Sequence, residues 1–262
     1  MDLLKFPKAK ETPLIVFIHI PKTAGTTVNH LLSSSGMAGQ DHIQNWLEKK
    51  DEAAKIVSSS DWVSGHIGFP GMRAFICSLS PRNLRFYSIM RSPLSQIASH
   101  YNWLIEIFKR GGNFYNVLPD RIKEISENIR ATENTRPENV IKQLSLAPGL
   151  FLNQQSRVLI GEDVPRLSRE EIIDRLSVYE FVATEKFLPE LLQKMTNQAC
   201  NEISRKNQSE YHFDPVVFKS PEMTEFLNSH HRTDMMVYEI ISSFGGFYPS
   251  PHKVNSASLG QM

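Results

Sequence analysis

The strongest apolar run in the chain, Leu14-Ile-Val-Phe-Ile-His-Ile20, is rich in β-branched residues and closes at Pro21. It predicts a strand buried on both faces of a parallel sheet, where polar alternation disappears. A threonine-rich turn follows, with Thr26 or Thr27 placed to cap a helix running through Val28, Leu31 and Leu32 to a Ser33–Gly36 stop. Shorter strand patterns recur at 62–66, 84–90 and 179–183. Helical periodicity marks Pro93 to Lys109, and then 119–130, 137–146, 150–160, 168–176, 187–196 and 221–243. Strands alternating with helices predict an α/β fold: a central parallel sheet flanked by helices, with a helix-rich second half.

The 262 residues read as a single domain, 1–262. Within it, polar and mixed-charge residues 111–148 form an inserted helical segment or lid, and 246–262, with prolines and serines and no periodicity, form a flexible tail. At 40% hydrophobic and 22% charged residues, the chain has the apolar content for a sizeable core. A net charge of +1 provides no global field for wrapping nucleic acid, so any bound anion has to be met by local groups. Cys77 and Cys200 read as buried thiols in a reducing compartment, and Met1 to Thr12 carry no apolar leader or membrane span; the expected location is cytoplasmic.

Chemistry concentrates first in His19-Ile-Pro-Lys-Thr-Ala-Gly-Thr-Thr27, between the strand and the helix start. Backbone N–H groups and the helix dipole favour an anion there. Gly25 allows close backbone approach, Lys22 carries an ammonium, and Thr23, Thr26 and Thr27 carry hydroxyl donors. The glycine-initiated nucleotide-triphosphatase loop is absent. A second element, Phe86-Tyr-Ser-Ile-Met-Arg91 followed by a helix, puts Arg91 at a strand end and Ser99 about two helical turns on. An arginine fork with a hydroxyl suits a terminal phosphate.

Pro21-Lys-Thr-Ala-Gly-Thr-Thr27 resembles the 5′-phosphosulfate loop of sulfotransferases that use 3′-phosphoadenosine 5′-phosphosulfate (PAPS), and Arg91 with Ser99 resembles their 3′-phosphate motif. The nearest branch is the carbohydrate sulfotransferases of the heparan sulfate 2-O and 6-O type. The likeness spans Leu14 to Tyr101 and extends loosely to Asn153–Gly161, Phe181–Phe187 and Arg205-Lys206-Asn207-Gln208-Ser209. It implies a P-loop-like phosphosulfate loop, with Lys22, Thr23, Ala24, Gly25, Thr26, Thr27, Arg91 and Ser99 around the cofactor and Arg205, Lys206 and Asn207 closing over it.

The implied reaction moves the sulfuryl group of PAPS to an acceptor hydroxyl, on a saccharide or other small metabolite, without a metal. Lys22 would stabilise the leaving group. His66, between Gly65 and Gly68 after a strand, is the expected base, since an ordinary imidazole titrates near neutrality. His19 reads as a satisfied core histidine, His100 lies on the helix behind Ser99, and Glu106 or Glu185 are substitute bases. Trp46, Trp62, Trp103, Arg73 and Arg157 are candidate acceptor contacts that read better as packing and solvated charge. Two other functions stay open: a nucleotide-dependent kinase, and a catalytically idle nucleotide- or saccharide-binding relative.

Overall fold

A computed structural model describes residues 10–161, 167–198 and 210–249. In chain order the strands are β1 (Leu14–Ile18), β2 (Gly39–Gln40), β3 (Trp62–Gly65), β4 (Leu84–Met90), β5 (Tyr179–Thr184) and β6 (Phe247–Pro249). The helices are α1 (Gly25–Ser34), α2 (Lys50–Ser59), α3 (Phe69–Leu79), α4 (Pro93–Glu106), α5 (Gly112–Asn116), α6 (Asp120–Arg130), α7 (Pro137–Leu146), α8 (Pro148–Phe151), α9 (Gln154–Ile160), α10 (Arg169–Leu176), α11 (Leu188–Thr196), α12 (Pro221–His230) and α13 (Arg232–Ser243).

The strands form one sheet in the order β2-β3-β1-β4-β5-β6, parallel throughout except for antiparallel β6. The uninterrupted apolar run of β1 follows from its central place. Leu14, Val16 and Ile18 face a core built with α2, α3, α9, α10 and α13. Ile15 and Phe17 face the opposite core, where Val28 and Leu32 of α1 and Leu191 of α11 cover the sheet. Each face thus removes apolar area from water, at about 25 cal/mol per Å² buried.

The chain leaves β1 towards β2 and β3, then returns past β1 to β4. This reversal falls at the carboxyl ends of β1, β3 and β4, the usual ligand position in open α/β sheets.

A third core holds the helical half together. Ile97, Tyr101 and Leu104 of α4 pack with Ile125 and Ile129 of α6, Val140 and Leu144 of α7, and Met223 and Leu227 of α12. Segment 111–148 contains α5, α6 and α7, and buried residues of α6 and α7 anchor it in this core. No helix among the described residues is long and apolar enough to cross a membrane.

Three expectations change. The helix predicted over 150–160 is broken by Asn153, whose φ of 52° is left-handed, and the one over 221–243 is broken at His231. The two breaks face each other. Asn153 Oδ1 accepts from Thr233 and Asp234 N–H, its Nδ2 donates to the His230 carbonyl, and its own N–H donates to His231 Nδ1. Side chains thereby satisfy backbone groups that helix ends leave unpaired. Of the segment expected as a flexible tail, Phe247–Pro249 is instead a strand that pairs with β5, with Phe247 stacked on Phe181, and 250–262 lie outside the described residues. Finally, Cys77 is exposed on α3 rather than buried, and Cys200 lies outside the described residues.

Candidate active site

Parallel pairing brings the strand ends to one edge: Ile18 of β1 aligns with Gly65 of β3 and Ser88 of β4, and Met90 with Thr184 of β5. Residues that follow those strands, the 19–24 turn, His66, Arg91 and Glu185, accordingly share this edge. Sequence position alone made this expectation for Lys22, His66 and Arg91, and the topology meets it.

The 19–24 turn has an unusual backbone. Lys22 and Ala24 both have left-handed φ, 68° and 75°. Neither is glycine, so each position costs on the order of 1 kcal/mol that surrounding contacts must offset. Strain of this kind concentrates at functional sites. Thr27 and Val28 N–H both turn to the Ala24 carbonyl, and no side chain caps α1. Among the described residues, Gly25 and Thr26 N–H have no acceptor, which leaves two donors at a helix start that carries no acidic residue.

Two residues of this turn also have structural roles. The Thr23 hydroxyl is buried and donates to the Ile20 carbonyl at 3.0 Å, so it holds the turn closed. Gly25 is required by a neighbouring side chain, since a Cβ there would fall inside the His19 ring. Thr27 is buried, while Ala24 and Thr26 are exposed.

His66 lies at the centre of three imidazoles. Its ring centroid is 4.0 Å from that of His19 and 5.5 Å from that of His42. Nδ1 of His66 lies 2.9 Å from the His19 carbonyl oxygen, which can only accept. The proton therefore resides on Nδ1, leaving a lone pair on Nε2. Burial among these rings lowers the His66 pKa; the hydrogen bond to His19 works against this and the neighbouring His42 works with it. Although the residue is exposed overall, its backbone N–H is also held, by Gln44 Oε1 at 3.1 Å.

His19 is a core residue, but not a satisfied one. It is buried, its Nδ1 has no partner among the described residues, and burial with the nearby His66 and His42 pushes its pKa down to about 2.

Lys22 sits in the mixed field of α4 and the β4 end. Burial is the main cause of its lowered pKa; Glu106 works against the shift, while Arg110 and Arg91 add to it. Glu106 is in turn paired with Arg110 at 2.8 Å. Both Lys22 and His66 bear on His100, whose burial pushes its pKa down to about 4. Gln96 braces the turn by donating to the Pro21 carbonyl at 3.2 Å and to Gln154 Oε1 at 2.7 Å.

Arg91 follows the last ladder residue of β4. Its N–H donates to Gln155 Oε1 at 2.9 Å and its carbonyl accepts from Gln155 Nε2 at 3.0 Å, while Ser92 N–H donates to Glu185 Oε1 at 3.2 Å. Among the described residues the Arg91 guanidinium and the half-buried Ser99 hydroxyl have no hydrogen-bond partner. The edge therefore offers one half-buried ammonium, one half-buried guanidinium, two backbone N–H groups and an imidazole with a free lone pair. This set suits an anion beside a hydroxyl nucleophile.

The other candidates lie apart or are engaged. Arg157 donates to the Gly149 and Leu152 carbonyls, Trp62 is a core residue donating to the Met37 carbonyl, and Arg73 is exposed on α3. Arg205, Lys206 and Asn207 lie outside the described residues. Among the described residues no group of three or more His, Cys, Asp or Glu is placed to hold a metal ion. Sequence reasoning missed His42, Gln44 and Gln96, and it quoted Gln155 without its role; each acts through a distant contact rather than a local motif. No protein-family model matches the chain, and no curated protein matches it.

Proposed function

We propose that this chain is a PAPS-dependent sulfotransferase that sulfates an acceptor hydroxyl on a saccharide or another small metabolite. The observation that carries the reading is the convergence, on one sheet edge, of a Lys22-bearing turn with two unpaired N–H donors, an unengaged Arg91, and His66 held in the tautomer that leaves Nε2 basic.

The donor set fits two separated anionic groups. Gly25 and Thr26 N–H with Lys22 would hold a 5′-phosphosulfate, making the turn P-loop-like, and Arg91 with Ser99 would hold a 3′-phosphate. When bound, PAPS supplies a sulfuryl group on a phosphate leaving group. His66 Nε2 takes the proton of the acceptor hydroxyl as the new O–S bond forms and the S–O bond to phosphate breaks. Lys22 meets the charge that develops on the departing phosphate oxygen, worth several kcal/mol in a partly desolvated site. The remaining contribution is positioning, as in phosphoryl transfer.

Melting temperatures measured with adenosine 3′,5′-bisphosphate, with ATP plus magnesium, and without ligand test the reading. Stabilisation by the bisphosphate is expected. Stabilisation by ATP-magnesium alone would replace the reading with a kinase, and turnover of labelled PAPS separates an enzyme from an idle binder.

A further inference from the structure

Arg91 is the first residue beyond the β4 ladder, whose last pair is Met90 with Thr184. Its backbone N–H and C=O therefore have no neighbouring strand, yet both are engaged. A single side chain, Gln155, supplies the acceptor at 2.9 Å and the donor at 3.0 Å. A carboxamide has the shape and polarity of a peptide group, so Gln155 replaces the missing strand for one residue.

Gln155 is itself fixed. It is fully buried at the start of α9, and its N–H donates to Asp234 Oδ2 at 3.1 Å, while Ser156 N–H donates to Asp234 Oδ1 at 2.6 Å. Asp234 is also fully buried, on α13, and its carboxylate meets the positive end of α9. A hydrogen-bond chain of low dielectric thus runs from Asp234 through Gln155 to the backbone from which the Arg91 guanidinium projects.

We infer that Gln155 is the positioning residue for Arg91: its carboxamide aims the guanidinium at the terminal phosphate and so sets the preference for a 3′-phosphorylated nucleotide. The inference rests on the reading of Arg91 as a phosphate receptor. Loss of the clamp leaves two backbone groups unpaired and lets the Arg91–Ser92 turn relax, without removing any group from the Lys22 turn.

The test is the ratio of dissociation constants for adenosine 5′-monophosphate and adenosine 3′,5′-bisphosphate, measured by calorimetry. The natural chain should prefer the bisphosphate; equal affinities would overturn the phosphate reading of Arg91 itself. Gln155→Ala should lower the ratio by about tenfold, with monophosphate binding unchanged. In an Arg91→Ala background the same change should have no further effect on the ratio. Gln155→Glu keeps the side-chain shape and the acceptor but loses the donor, and serves as the second variant if Gln155→Ala does not fold; it too should lower the ratio. Ratios within about twofold of the natural chain in a folded Gln155 variant would overturn the inference.

Discussion

The carbonyl oxygen of His19 accepts a hydrogen bond from Nδ1 of His66 at 2.9 Å, and this contact fixes the imidazole tautomer. The residue that follows β1 thereby decides which nitrogen of a residue beyond β3 remains basic. Replacement of His66 by Ala removes that lone pair and leaves the anion donors in place. The expected outcome is bisphosphate affinity close to that of the natural chain and turnover lowered by about 10²- to 10⁴-fold. Lys22→Ala should instead lower both turnover and affinity. Calorimetry and initial rates separate the two patterns, and near-normal turnover in His66→Ala would remove it from the mechanism.

The pH profile has two expected limbs. A base has to be neutral, and the His66 pKa lies below 6.5 because burial disfavours its cation. Activity should therefore fall only below pH 6.5 on the acid side. Lys22 has to be cationic, and its pKa lies below 10.5, so the alkaline limb should fall below that value. An acid limb of kcat/KM at or above pH 6.5 contradicts His66, with its burial-lowered pKa, as the base.

Gly25→Ala should destabilise the fold by about 1–3 kcal/mol, because the new methyl group enters the space of the buried His19 ring. Urea unfolding measures this. The same change made in a His19→Ala background should cost much less, and an undiminished loss would place the strain elsewhere.

Acid sensitivity follows from the two buried histidines. In the folded chain His19 and His100 protonate only near about 2 and about 4, whereas unfolded histidine protonates near 6.5. Between those values the unfolded state binds more protons, so stability falls as pH drops below 6.5. Each histidine should contribute about 1 kcal/mol per pH unit within its window. Urea midpoints from pH 7.5 to pH 5 should decline, and less steeply in His19→Phe.

Much of the sheet was legible because its central strands are buried on both faces. The runs at Leu14, Trp62, Leu84 and Tyr179 each end within two residues of the observed strands. The helix breaks at Asn153 and His231 were not legible, since periodicity carries through both and the breaks depend on hydrogen bonds 77 to 81 residues apart in sequence. The same division holds for the site. The shared placement of Lys22, His66 and Arg91 was legible because parallel topology sends strand ends to one edge. The bond from the Thr23 hydroxyl to a local carbonyl was not legible, and the roles of Gln155 and His42 arise only from residues that tertiary folding brings beside them.

The clamp on Arg91 also determines what can be cut away. Residues 10 to about 110 contain the 19–24 turn, His66, Arg91 and Ser99, and look like a portable nucleotide module. Yet the turn that carries Arg91 is secured by Gln155 and Glu185, and Gln155 by Asp234, all contributed by the second half of the chain. An amino-terminal fragment would retain the chemical groups without their fixed arrangement, so under the proposed function phosphate discrimination would be acquired only when the last helices have docked.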